Sequence, residues 1–390
     1  MVASSFELDA SANGRDWGEA SGRIADQTAR YSEVPSSTRL QSSALAQKRD
    51  YHASVRACQK GGEWAKALGI LVEMSARRLE VDTITFSIAI SACSKRGEWT
   101  QALGLLAEMA SSNVELDVIS CSATIDSCKQ SGEWVVALGL LAGMAASHVE
   151  ASTITYNAAV SSCQENGEWA QAFGLLSEMV ARQVALNTIT YNAAISACKK
   201  GGEWSRALGL MAEMTASRVE LSTITYNAAV SACEKDGEWI NALGLLVLMI
   251  ACNVELNTIT YSTAISACAK GCEWASAMWL LAEMAAGYVE PSTITYNAAL
   301  SACAPGGQWI QAAELLMEMM ATQVPLDTRT YAAAIGACGN GGELDEALAL
   351  LAKMRAGNVE SNTITYNAAI SACGNLGEWA SALGLLSEMV

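Results

Sequence analysis

Apolar and polar positions in this chain recur every 35 residues, most visibly in the tryptophans Trp64, Trp99, Trp134, Trp169, Trp204, Trp239, Trp274 and Trp309. In the stretch 188–222, Tyr191, Ile195 and Cys198 fall at i, i+4 and i+7, the apolar stripe of a helix. Lys199-Lys200-Gly201-Gly202 interrupts it, because glycine ends helices and permits a tight turn. Glu203 then opens a second helix, an acid at the positive end of the helix dipole, with the stripe Trp204, Ala207, Leu208, Met211 and Met214. Arg218–Ser222 connects to the next block. Each block is a helical hairpin too small to bury its apolar face alone, so neighbours must cover it. The pattern predicts an all-α, right-handed superhelical α-solenoid of ten helix-turn-helix repeats. They run 48–82, 83–117, 118–152, 153–187, 188–222, 223–257, 258–292, 293–327, 328–362 and an incomplete 363–390. The last stops at Val390 inside a helix, which predicts either a longer natural chain or a frayed end.

Residues 1–47 lie outside the repeat and read as a disordered leader with a short capping helix near Ser42–Gln47. Transit peptides avoid acids, whereas this segment carries Glu7, Asp9, Asp16, Glu19, Asp26 and Glu33. Most second helices hold a central glycine, such as Gly69, Gly174, Gly209 and Gly244. Each costs about 1 kcal/mol against Ala; close approach of a neighbouring helix is the expected reason, and a softer, more extensible stack the alternative.

Composition narrows the class. Hydrophobic residues make up 51% of the chain, yet no run approaches the ~18 uninterrupted apolar residues of a membrane span, so a soluble protein is expected. Ten of the thirteen cysteines occupy one slot per repeat, from Cys58 and Cys93 to Cys338 and Cys373. Stacked helices sit roughly 8–10 Å apart, whereas a disulfide needs Cα atoms within about 7 Å. These cysteines read as buried small hydrophobes in a reducing compartment. Without a CxxC pair, and with only two histidines, no zinc site is expected.

If Tyr191, Ile195 and Cys198 point inward, the opposite face of the first helix carries an aliphatic column: Ile84, Ile119, Ile154, Ile189, Ile224, Ile259, Ile294 and Ile364. Beside it runs a short polar column: Ser87, Ser122, Asn157, Asn192, Asn227, Ser262, Asn297, Ala332 and Asn367. Asn is a poor helix former. An aliphatic side chain beside an amide suits a flat aromatic ligand, one packing on its face while the other reads its edge. The competing reading is that Asn bonds the backbone of the next repeat and Ile packs between helices. Charge placement bears on the choice. The formal charge is −16, but the first thirteen residues of the ten repeats hold eleven bases and four acids. The acids gather before the Trp, late in the second helix and in the connector, and with a screening length of about 8 Å a first-helix groove would feel mainly its own lysines.

The run Thr-Ile-Thr-Tyr-Asn-Ala-Ala-Ile-Ser-Ala-Cys, then Gly-Glu-Trp and Ala-Leu-Gly-Leu-Leu-x-Glu-Met, at this period over residues 48–390, resembles the pentatricopeptide repeat family of the plain P type. The resemblance implies sequence-specific binding of single-stranded RNA in an organelle, chloroplast or mitochondrion, one base per repeat and without catalysis. It implies that the fifth and last residues of each repeat select the base: Ser87/Asp117, Ser122/Ser152, Asn157/Asn187, Asn192/Ser222, Asn227/Asn257, Ser262/Ser292, Asn297/Asp327 and Ala332/Asn362. The second residues, Ile84, Ile119, Ile154, Ile189, Ile224, Ile259 and Ile294, would sandwich the bases, and Lys60, Lys95, Lys200, Lys235 and Lys270 would meet phosphates. The implied core is 5′-G-A-Y-Y-Y-A-U-3′. His52/Asp82 is off-pattern, Ala332 has no polar group, Arg329 replaces a sandwiching Ile, and Gln130, Glu165, Pro305, Asn340 and Asn375 fill the remaining phosphate slots.

No Ser/His/Asp, Cys/His or paired-carboxylate constellation stands outside the repeat lattice, and His148 reads as an exposed connector residue. A monomer without cofactor, metal or membrane partner is expected. The competing function is a protein-binding α-solenoid scaffold without RNA binding, its acidic ridges recruiting a basic partner.

Overall fold

From the second repeat onward each first helix begins at a built cap. In this computed structural model, which describes residues 39–357 and 359–389, the residue before Thr-Ile-Thr accepts from the backbone N–H three positions on. Ser152, Ser222 and Ser292 do so with the reciprocal bond from their own N–H to the threonine hydroxyl, a capping box. Asp82, Asp117, Asn257, Asp327 and Asn362 hold the same place. The second Thr of Thr-Ile-Thr is therefore fully buried, as at Thr155, Thr190 and Thr260.

First helices such as Thr153–Asn166 and Thr223–Asp236 end at a left-handed glycine, Gly167 and Gly237 here, whose φ values of 73° and 71° a side chain would strain. At one repeat the position is Cys272, held at φ 59° without that freedom. A thirteen-residue second helix follows, as in Trp169–Ala181 or Trp204–Ala216. In Trp204–Ala216 the buried stripe is Ala207, Leu210, Met211 and Met214. Leu210 replaces Leu208 of the expected stripe, because i, i+3, i+4 and i+7 from Ala207 define the inward face. Burying each Leu or Met contributes about 1.5–3 kcal/mol.

The chain forms two units, one up to Ala197 and one from Cys198, the division falling in helix Thr188–Gly201. Within the first unit, helices Arg39–Gly61, Thr83–Ser94, Val118–Ser131 and Thr153–Asn166 pack successively on one another. Within the second, Thr223–Asp236, Thr258–Lys270, Thr293–Cys303, Thr328–Gly341 and Thr363–Leu376 do the same. Second helices pack against the first helices on either side, so each unit is a two-layered stack of hairpins, an α-solenoid. The tryptophan of one hairpin closes on the turn of the next. A Cβ added to Gly341 would stand 2.8 Å from Trp309 Cδ1 and 2.7 Å from the Gly307 carbonyl oxygen. Within hairpins, Tyr156 donates to Glu178 at 3.0 Å and Tyr296 to Glu318 at 3.0 Å. Burial, then the Glu178 bond, pushes the Tyr156 phenol up to about 12.

The ten repeated cysteines are buried and unpaired. Burial pushes the Cys128 and Cys198 thiols up to about 12, which leaves them unreactive at neutral pH. Two expectations are corrected. Helix Arg39–Gly61 runs without a break through Ser42–Gln47 into the first repeat, in place of a short capping helix; the rest of the expected leader lies outside the described residues. The central glycines do not meet neighbouring helices: a Cβ on Gly69, Gly174, Gly209 or Gly244 would have nothing within 4 Å. Among the described residues no helix is long and apolar enough to cross a membrane, and no cluster of His, Cys, Asp and Glu could hold a metal ion.

Two substitutions test these readings by the denaturant midpoint. Cys272→Gly, relieving a left-handed side chain, should stabilise the fold by about 1 kcal/mol; a lower midpoint would contradict the strain. Gly209→Ala, adding a methyl into open space, should also stabilise by about 1 kcal/mol, whereas destabilisation would restore the close-packing explanation.

Candidate nucleic-acid interface

The first helix turns its second residue outward because its fourth, eighth and eleventh are inward. In the first unit Ile84, Ile119, Ile154 and Ile189, and in the second Ile224, Ile259, Ile294 and Ile364, are 54–74% exposed. That removes the reading in which they pack between helices. Arg329, exposed like them, continues the column.

The neighbouring polar column is engaged. Asn227 Oδ1 accepts from the Thr260 hydroxyl at 2.6 Å, and Asn297 Oδ1 accepts from Thr330 at 2.7 Å. Asn157 Oδ1 takes the same bond from Thr190. Ser122 and Ser262 meet Thr155 and Thr295 at 2.6 and 2.7 Å, and Ser87 meets Ser120 at 2.8 Å. The fifth residue of one hairpin is thus tied to the capping threonine of the next, through a side chain and not the backbone that the competing reading proposed. The expectation of amides held free for a ligand is corrected accordingly. These asparagines remain half-buried, as does Asn192, and an amide has two donors and two acceptor lone pairs, of which the threonine takes one.

The fifth and last residues bond directly at the Ser87, Asn157 and Asn297 rungs. Asn157 Nδ2 donates to Asn187 Oδ1 at 3.4 Å; Asn297 Nδ2 donates to the two Asp327 oxygens at 3.1 and 3.2 Å; Ser87 Oγ donates to Asp117 Oδ1 at 3.4 Å. Burial alone would raise the Asp327 carboxyl, but hydrogen bonds from the Thr330 backbone and hydroxyl, the Asn297 amide and the Arg329 backbone outweigh it and hold the group below its ordinary value. Asp327 is therefore an acceptor-only carboxylate at neutral pH. The last residues Ser152, Ser222, Ser292, Asn257 and Asn362 cap their helices as described above, and Asn187 receives the Thr190 N–H at 3.0 Å.

Sequence reasoning missed two participants. His52, set aside as off-pattern, places Nε2 2.7 Å from the Thr85 hydroxyl and 3.4 Å from Asp82, the geometry of the asparagine rungs. The capping threonines were missed although Ser/Asn/Asp-Thr-x-Thr is legible as a cap signal.

Lys60, Lys95, Lys200, Lys235 and Lys270 are exposed at the ends of first helices. Lys95 Nζ donates to the Lys60 carbonyl at 3.3 Å and Lys235 Nζ to the Lys200 carbonyl at 2.6 Å, while Lys270 pairs with Glu234 at 3.5 Å. An ammonium has three donors, so these inter-hairpin ties leave capacity for an anion. His148 is exposed in its connector at φ 57°.

The family signature described as "Pentacotripeptide-repeat region of PRORP" matches residues 76–229 and 223–387. The structure of the pentatricopeptide repeat protein PPR10 in complex with an 18-nt psaJ RNA element is similar, with a TM-score of 0.57 at 19% identity, covering 96% of this chain and 58% of that one. PPR10 from maize gives a TM-score of 0.49 at 18% identity, covering 95% and 61%. This chain thus spans less than two thirds of the length of those proteins. None of the curated proteins compared with it matches. With the signature running across most of its length, the chain belongs to the pentatricopeptide repeat family.

Proposed function

We propose that the chain binds single-stranded RNA sequence-specifically, one base per repeat, as a non-enzymatic organellar RNA-processing or stability factor. The observation that carries this reading is the column of exposed isoleucines running beside paired fifth and last residues. An exposed aliphatic column gains nothing from water, whereas unstacked bases offer it flat apolar faces. The similarity in fold to a protein whose structure holds an RNA element supports the same ligand class.

The pairs match base chemistry. Guanine and uracil carry a ring N–H, which needs an acceptor; adenine and cytosine present a ring nitrogen, which needs a donor. The two aspartate rungs, Ser87/Asp117 and Asn297/Asp327, are the ones assigned G and U. Ser122/Ser152 and Ser262/Ser292 are assigned A. Asn157/Asn187, Asn192/Ser222 and Asn227/Asn257 are assigned pyrimidines leaning to C, completing 5′-G-A-Y-Y-Y-A-U-3′. The exposed Lys60, Lys95, Lys200, Lys235 and Lys270 would follow the phosphates, and His52/Asp82 stands in line as a further rung.

Selection from randomised RNA tests the register. Asp327→Asn exchanges an acceptor-only group for one that donates, and it preserves the cap, since Asn257 and Asn362 cap their helices in this chain. The preference at that rung should move from U towards C by about 1–3 kcal/mol, the scale of one good base-edge contact; an unchanged profile would overturn the assigned pair. Because Asp327 titrates below its ordinary value, its contribution is present above the unfolded-state pKa and fades only as pH falls through the lower folded one. The U preference should hold from pH 8 to 5, and its loss near pH 6 would contradict an ionised carboxylate. If five lysines meet phosphates, log affinity should fall with log salt at a slope near about −3.5. A slope close to zero would mean that they do not.

A further inference from the structure

Three consecutive second helices in the second unit place large apolar residues at outward slots where most other repeats hold small or acidic ones. In helix Trp239–Ala251, Leu248 stands where Glu178, Glu213, Glu283 and Glu318 stand in other repeats. In helix Trp274–Ala286, Trp279 stands where Gly174, Gly209 and Gly244 stand. Ile240 and Val247 share one stripe at i and i+7, and in helix Trp309–Ala321 Met317 fills the slot of Val247. All are exposed: Ile240 66%, Val247 62%, Leu248 52%, Trp279 55% and Met317 59%.

The hairpins do not need these side chains. The inward face of helix Trp239–Ala251 is already filled by Ala242, Leu245, Leu246 and Met249. A Cβ on Gly244, the slot of Trp279 one repeat earlier, would meet nothing within 4 Å. The glutamate that Leu248 replaces serves the fold elsewhere, as in Tyr156–Glu178; in this repeat burial, then the nearby Cys252 thiol, pushes the Tyr226 phenol up to about 12. The substitution removes an internal bond and adds exposed apolar surface.

Charge says what could cover that surface. Residues 237–257, 272–292 and 307–327 contain no Lys or Arg, while Glu255, Glu283, Glu290 and Glu314 are exposed among them. RNA or an anionic membrane would meet like charge there, and a second copy presenting the same face would set acid against acid. An apolar outer face on segments that carry acids and no bases fits an amphipathic helix with a basic rim.

We propose that the outer face of repeats 223–327 docks a basic amphipathic helix of a protein partner. Its apolar side lies on Ile240, Val247, Leu248, Trp279 and Met317, and its Lys or Arg side chains meet the surrounding glutamates. The face belongs to the second-helix layer, so it leaves the first-helix column open.

The test titrates the full chain with a synthetic Leu/Lys amphipathic helical peptide and with its Leu/Glu counterpart. It compares the wild type with Leu248→Glu/Trp279→Gly, which restores the residues of the other repeats. The basic peptide should bind and the acidic one should not, and the double variant should bind at least about tenfold more weakly with unchanged helicity. Equal or tighter binding by the double variant overturns the proposal, because the added carboxylate strengthens mere charge attraction. Binding to anionic lipid vesicles that depends on this face, without binding to the peptide, overturns it too. If the double variant loses helicity, Trp279→Gly alone gives the same reading, weaker binding supporting the face and unchanged binding opposing it. RNA affinity, measured alongside, should not change, which separates this outcome from that for the inner column.

Discussion

The hydroxyl at the head of most first helices, a threonine in all but one, is shared between two jobs, and the rest of the molecule depends on that sharing. In the Asn227 rung, Thr260 Oγ1 meets Asn257, the cap of its own helix, at 3.0 Å, and Asn227 of the preceding hairpin at 2.6 Å. The same atom recurs at Thr190 and Thr330. Because hydroxyl hydrogen bonds are short and directional, the bond sets where one hairpin sits on the next. It also fixes the fifth residue of one repeat against the residue that ends it. Stacking register and the proposed recognition geometry are therefore a single constraint, and the half-burial of the asparagines follows from it. In the proposed role, a group held on a helix and fixed by a second bond is better preorganised than a free side chain.

Hairpins, turns and core were legible because periodicity is a property of helices whatever their ligand. Tyr191, Ile195 and Cys198 are all fully buried, as their i, i+4, i+7 spacing requires, and the exposed isoleucines follow from the same wheel. What the residues alone did not disclose were partners. Whether an amide on a helix face bonds a neighbour or awaits a ligand depends on atoms some 33 residues away, and here the amides bond the next hairpin's threonine while staying half-buried. The capping role of Asp117, Asn257 or Asp327 was legible in principle; it was overlooked because those positions were considered only as ligand contacts. The central glycines misled for a different reason: a glycine is compatible with close packing or with nothing at all, and only the open space beside Gly209 and Gly244 decides between them.

The two helix layers divide the charge. First helices carry the exposed lysines, with Lys95 and Lys235 also bonded to the carbonyl-rich end of the preceding first helix. Second helices carry glutamates, several of them held by a buried tyrosine of the same hairpin, as at Tyr156 and Tyr296. A molecule of net charge −16 can therefore offer a polyanion a basic edge, because the opposing charges lie a helix layer away and are screened at that distance.

Deleting residues 223–257, one whole hairpin, tests most directly whether one hairpin reads one base. Ser222 would then stand in place of Asn257 as the cap of helix Thr258–Lys270, an equally good cap. The account predicts that a chain so shortened, still helical, selects RNA one nucleotide shorter, with the last of the three central pyrimidines missing and the flanking positions unchanged. Selection of the full-length motif by the shortened chain, or loss of preference at every position while the chain stays folded, would contradict it.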